Sequence, residues 1–154
     1  MTRLEDHEKP DDAMMQQTAT PDIIITRRDK ERLRFLVDYY AAQSYDAIVE
    51  FLDQEISRAV VVEPEEVPRD VATMNSRVRY RDNMTGEVIT VSLVYPGQED
   101  SVLGRISVLT PVGSALLGLS VGQSITWTTR DGRPRSLTLL AVLFQPEAVG
   151  RFDL

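Results

Sequence analysis

Apolar positions along this chain change rhythm once, near residue 64. Before it they recur every three or four residues. Leu33, Leu36, Val37 and Tyr40 form one such face, and Ile48, Phe51, Leu52, Ile56 and Ala59 form a second. That spacing predicts two amphipathic helices. Thr26, with Asp29 three residues on, fits the start of the first, a hydroxyl cap followed by an acid. The pattern pauses at Ala41, Ala42 and Gln43. Ser44 is the expected cap of the second helix, with Asp46 in its first turn, where the helix dipole favours an acid. Pro64 is expected to end that helix, since proline cannot continue the hydrogen-bond ladder. A short connection between two amphipathic helices predicts an antiparallel hairpin. At about 15 residues per helix and ~1.5 Å per residue it would be roughly 22 Å long.

After the proline-marked stretch 63–69 the period becomes two. Ile89, Val91, Leu93 and Tyr95 alternate with Thr90, Ser92 and Val94, as in a half-buried strand. The turn signal at 82–86 precedes it and predicts a hairpin with a strand over 76–81. Ile106 and Val108 mark a third strand, 114–119 a brief helix, Ile125 and Trp127 a fourth strand. A tight turn at 130–133 leads to a fifth over 137–144. The fold class is therefore α+β, a short helical hairpin of coiled-coil type followed by an antiparallel sheet wrapped on one helix. The expected organisation is an acidic, disordered tail over 1–21, the hairpin domain over 22–62, a linker over 63–69 and the sheet domain over 70–154.

Charge and composition narrow the function. The chain has 154 residues, 17 Lys and Arg against 24 Asp and Glu, and a net charge of -7. An acidic chain is repelled by phosphate backbones, so general or sequence-specific nucleic-acid binding is not expected. It could instead enter a basic protein channel. Cysteine is absent, which removes disulfides, thiolate metal sites and cysteine nucleophiles. No segment approaches a membrane span, and the N-terminus has acids where a signal peptide needs an apolar core. A cytoplasmic protein with no membrane association is expected. His7 is the sole histidine and sits in the tail, so a Ser-His-acid triad has no base. Lys9 and Lys30 do not follow a glycine, so no phosphate-cradling loop is present and a kinase is not expected. No catalytic residue, metal or cofactor is assigned.

Residues 106–123 read ISVLTPVGSALLGLSVGQ. This run resembles the pattern I-S-x-x-S-P-[LVM]-[GA]-x-A-L-L-G-K-x-x-G-D of the C-terminal domain of the Gre transcript-cleavage factors. Asn75 to Val78, Thr85 to Glu87 and Leu93 to Pro96 agree with it in order and spacing. Three stretches, two of them overlapping these, resemble one branch of that family, the regulators of nucleoside diphosphate kinase: TMNSRV (Thr73 to Val78), LVYP (Leu93 to Pro96) and FQPEA (Phe144 to Ala148). Together the resemblance spans about residues 22–154.

The resemblance implies an FK506-binding-protein-like (FKBP-like) fold for the sheet domain and bacterial RNA polymerase as the partner. In Gre factors a Ser-Pro loop docks on a coiled coil at the rim of the polymerase secondary channel. Here Thr110 takes the serine place and Pro111 and Val112 follow, so these three are the expected polymerase-binding residues. A turn proline that only sets the entry of the short helix is the alternative. Acids at the Gre hairpin tip help hold Mg²⁺ in the polymerase. The corresponding candidates are Asp38, more than a turn from the loop, and Asp46, which a helix start also explains. Tyr39, Tyr40 and Tyr45 cluster at the tip, either clamping the helix ends or offering an interface. The hairpin is shorter than in cleavage-active members, so transcript cleavage is not expected. The implied function is a transcription regulator that competes with Gre-type factors. The alternatives are a protein-binding regulator of another target, such as nucleoside diphosphate kinase, and a prolyl isomerase suggested by fold type alone.

Overall fold

The computed structural model describes residues 16–19, 21–44 and 46–154. His7, Lys9, Tyr45 and most of the expected tail lie outside the described residues. The part of that tail at Gln16–Ala19 is a strand, β1, where disorder was expected. It pairs antiparallel with Ser124–Thr128, so backbone pairing defines an element that carries no hydrophobic period.

Both helices form where the apolar spacing places them. α1 spans Arg27–Ala41, and its Thr26 cap accepts from the Asp29 N–H. α2 spans Ala47–Arg58. Its cap is Asp46, whose carboxylate accepts from the Val49 N–H at 3.1 Å, and not Ser44. Both side chains can cap; the acid, two residues nearer the first turn, also answers the helix dipole. α2 ends six residues before Pro64, because the chain turns extended at Ala59 to form β3, Val60–Val62. β3 pairs in parallel with β2, Ile24–Thr26. This two-stranded clamp closes the base of the hairpin, and Arg27 adds to it through Nε, 3.0 Å from Glu63 Oε2. Pro64 instead opens a 3-10 turn at Pro64–Glu66, the first helical position that proline tolerates. Between the helices Arg34 reaches Asp53 at 2.8 Å.

The second half is a sheet built from β4 (Arg77–Asp82), β5 (Val88–Val94), β6 (Arg105–Ser107), β7 (Ser124–Thr128) and β8 (Pro134–Phe144), with β1 added at one edge. The order is β1-β7-β8-β4-β5-β6. Every pair is antiparallel except β5 with β6, which run parallel. The sheet is therefore mixed rather than wholly antiparallel. Three residues with one inward-facing apolar side chain cannot fix strand direction by pattern. The short helix α3 spans Pro111–Leu116, earlier than 114–119, because Thr110 caps it and Pro111 opens it.

Two buried clusters fill the interior. The first lies under the sheet, around Trp127, Val78, Leu116, Ile125 and Leu139, and also takes Ile23 and Phe51 from the hairpin half. The second joins Ile25, Leu33, Val37, Val49, Leu52 and Ile56 to Met74, Leu93, Val108 and Leu117. The hairpin thus lies against the sheet domain and shares its core. It is not a free coiled coil on a linker; Val67 within that linker is itself buried.

Candidate functional site

The loop between β6 and α3 is fixed by its own side chains. The Thr110 hydroxyl donates to Ser107 O at 2.7 Å and accepts from the Gly113 N–H at 3.1 Å. The Ser107 hydroxyl accepts from the Leu109 N–H at 3.0 Å. The buried Ser114 hydroxyl bonds Val108 O at 2.8 Å and Thr110 O at 2.9 Å. Gly113 is required by close approach, since a Cβ there would stand 2.1 Å from Ser107 O. The hydroxyls of Ser107, Thr110 and Ser114 are thus all engaged within the loop. Of the three residues expected to bind the polymerase, only Pro111 is exposed. Thr110 is a cap. Val112 packs on the first core cluster.

The hairpin tip stands at the same end of the molecule. Tyr40, Gln43, Ser44, Asp46 and Leu109 line one recess of about 260 Å³, and Leu109 immediately precedes Thr110. Tyr39 and Tyr40 meet edge to face, centroids 5.2 Å apart and planes at 87°. That is the arrangement ring quadrupoles favour. Tyr40 is half-buried in the recess wall while Tyr39 is 57% exposed. Both candidate tip acids have local partners. Asp46 caps α2, and Asp38 lies 3.7 Å from Arg34 on its own helix. Among the described residues no three His, Asp or Glu come together as a cation site.

No local pattern signals the polar joint behind this end. Asp29 is 1% exposed. Its carboxylate accepts from Arg32 at 2.7 Å and from the Met74 N–H at 3.1 Å, tying α1 to the segment before β4. Burial still pushes its carboxyl above the usual range, against the pull of Arg32 and the Met74 amide. The Arg32 guanidinium lies 4.8 Å from the centre of the Tyr95 ring and donates to Leu154 O at 2.9 Å. Burial raises the Tyr95 hydroxyl out of its ordinary range, with the Asp29 charge adding to it. Thr73 donates to Glu147 at 2.8 Å, and the Gln145 amide donates to Pro68 O and Val71 O. A second buried acid, Glu55, is gripped by Arg58 through two 3.0 Å bonds, and Arg58 also holds Pro21 O. The stretches 73–78, 93–96 and 144–148 therefore meet around this joint. Their spacing was legible in the sequence; that they meet through a buried carboxylate on α1 was not.

A helical hairpin seated on a mixed sheet, with a capped Thr-Pro loop at one end, defines a Gre-type protein. Residues 67–144 match the family model for the C-terminal part of the transcription elongation factors GreA/GreB, and residues 21–62 match the Rnk N-terminus. The chain is 43% identical over 134 residues to the regulator of nucleoside diphosphate kinase of Escherichia coli K12, covering 87% of this chain and 98% of that one. It belongs to that family of Gre-related regulators. It is also 34% identical over 93 residues to transcription elongation factor GreA of Chlorobium phaeobacteroides, covering 57% of this chain and 58% of that one. Among solved structures, a prokaryotic transcription elongation factor GreA/GreB from Nitrosomonas europaea is 40% identical. Its TM-score is 0.63, with 81% of this chain and 100% of that one covered. No helix among the described residues is long and apolar enough to cross a membrane.

Proposed function

We propose that this protein is a transcription regulator that docks on RNA polymerase at the rim of the secondary channel and competes there with Gre-type factors without cleaving transcripts. The observation that carries the reading is the placement of the exposed Pro111, on an internally satisfied loop, beside the hairpin tip. A rigid loop with an exposed apolar group loses little entropy on docking. The tip would approach the polymerase with the same face, adding Tyr39, an aromatic of the kind enriched at interface hot spots. The local partners of both tip acids, the Val49 N–H for Asp46 and Arg34 for Asp38, support a role without cleavage. So does reach: α2 has 12 residues, roughly 18 Å at ~1.5 Å each.

The sheet half is taken as FKBP-like on the resemblance of its loop and strands. Prolyl isomerisation is disfavoured, because of the few aromatics such a pocket would use Trp127 and Tyr80 are buried in the first core cluster and Tyr95 packs on the second, leaving only Phe144 exposed. The name of the Escherichia coli relative supports a second reading, in which the target is nucleoside diphosphate kinase.

The test is binding of the labelled full chain to core RNA polymerase, with unlabelled GreA as competitor, at low salt. Saturable binding that GreA displaces is expected, and Pro111→Asn should weaken it about tenfold while thermal unfolding stays unchanged. Full affinity in the folded variant would remove the loop from the interface. Capture of the kinase with no polymerase binding would favour the second reading.

A further inference from the structure

The outer face of the sheet carries a second surface. β4 alternates buried Val78 and Tyr80 with exposed Arg77, Arg79 and Arg81. Arg77 stands opposite Ser92 of β5, and Ser92 opposite Arg105 of β6. The two arginines thus share one row, about 10 Å apart at ~4.8 Å per strand. Neither side chain has a hydrogen-bond or ion-pair partner among the described residues, although the chain as a whole is acidic. The row forms the floor of an open groove of about 630 Å³, whose lining includes Asn75, Glu99 and Phe144. A register shift near the end of the β4–β8 pairing sets Phe144 opposite Arg77, and its ring is 38% exposed.

We propose that this groove binds a nucleotide carrying two or three phosphates. Arg77 and Arg105 take the phosphates, the Phe144 ring lies against the base, and Glu99 accepts from the ribose hydroxyls. Guanidinium groups match phosphate oxygens in charge and geometry, and the volume falls within the range of small-molecule sites. The acids decide between anions. Glu99 and Asp100 line the groove with the arginines, so a carboxylate-rich peptide would set acceptors against acceptors there. A nucleotide offers hydroxyl and amino donors there. One Glu99 oxygen already accepts from the Gly97 N–H, which fixes the side chain and leaves its other oxygen for a ligand. Arginines facing each other across an intervening strand can hold phosphate without a Gly-rich loop or a lysine. The site therefore escapes a sequence search for the usual phosphate cradle.

The experiment is calorimetric titration of the full chain, at about 0.1 M salt, with ATP, GTP, inorganic tripolyphosphate and poly-glutamate. One saturable nucleotide site per chain is expected, tighter than tripolyphosphate and indifferent to poly-glutamate. Arg77→Gln and Arg105→Gln should each weaken it about tenfold, the loss of one charge-assisted contact. Arg130→Gln, in the exposed β7–β8 turn, should leave it unchanged. Phe144→Ala, with its fold checked by thermal unfolding, should bring ATP down to the affinity of tripolyphosphate. No saturation by either nucleotide would overturn the proposal. So would equal binding of ATP and tripolyphosphate by the unaltered chain, equal loss in Arg130→Gln, or preference for poly-glutamate.

Discussion

At 1% exposure the Asp29 carboxylate has lost almost all its hydration, and two donors, Arg32 and the Met74 amide, stand in for water. They do not make up the whole loss, so its carboxyl is raised, as are those of Glu55 and Glu147 for the same reason, burial. A raised carboxyl keeps its proton in the folded chain at a pH where the unfolded chain has released it. Stability from these groups is therefore fully present below the ordinary carboxylate range and falls as pH rises through their raised values. Glu63 has the opposite sign. Its hydrogen bond from Arg27 holds it below its ordinary value, so its contribution is lost as pH falls through that lowered value. Glu63, like Asp131 and Asp153, which are also lowered, is screened by solvent, so the buried, raised acids set the sign of the pH dependence above the ordinary carboxylate range. The urea midpoint should be higher at pH 5.5 than at pH 7.5, and Asp29→Asn, which cannot ionise, should show a smaller difference. A midpoint that drops on acidification from 7.5 to 5.5 would contradict the assignment. Gly113 makes a steric prediction at the same scale. With its Cβ 2.1 Å from Ser107 O and 2.9 Å from Thr110 Oγ1, Gly113→Ala must displace backbone, at a cost of about 1–3 kcal/mol or more. Denaturant unfolding measures it, and an unchanged midpoint would mean the loop yields freely.

At the scale of elements, what the sequence revealed depended on the kind of physics that made each one. Helices α1 and α2 and strands β4 and β7 each bury one face, and β5 and β8 keep enough of that alternation for the period of Leu33, Val37, Val91 or Leu139 to report them. Elements stabilised by something other than a buried face escaped. β1 is set by its pairing with β7, and β2 and β3 by a parallel clamp between three-residue strands. The direction of β6 is set by the return of the chain through residues 95–104. The shift of the α2 cap from Ser44 to Asp46 is a choice between two competent side chains two residues apart. The candidate site divides in the same way. Pro111 was legible as an exposed turn proline. The conversion of Thr110 into a cap and of Val112 into a core contact depended on where α3 sits against the sheet, which no local pattern contains. The joint at Asp29 was hidden for a similar reason. Thr26 and Asp29 read as a local helix start, while the Asp29 side chain reaches 45 residues along the chain to Met74.

For the whole molecule the decisive feature is the second core cluster, which takes about half of its buried side chains from each side. Ile25, Leu33, Val37, Val49, Leu52 and Ile56 come from the hairpin half; Met74, Leu93, Val108 and Leu117 come from the sheet half. Neither half can bury its own set alone. A chain reduced to 63–154 would expose those four apolar side chains and strip Ile23 and Phe51 from the first cluster. Apolar burial is the main favourable term in folding, so the fragment should be far less stable than the intact chain, and the two halves should unfold together. Leu52, with 0% exposure, is the sharpest probe. Leu52→Ala should cost about 2–5 kcal/mol, and the cost should appear at both ends of the molecule. Trp127 fluorescence, which reports the sheet core, and far-UV ellipticity, in which the helices are prominent, should move to lower denaturant by the same amount and remain superimposed. Coincident curves would mean that the hairpin tip and the Pro111 loop are held in fixed relation by a common core, and that both meet a partner as one rigid face. Curves that separate, with the ellipticity lost first, would mean that the hairpin opens while the sheet persists, and the shared cluster would then not be what sets the geometry of that face.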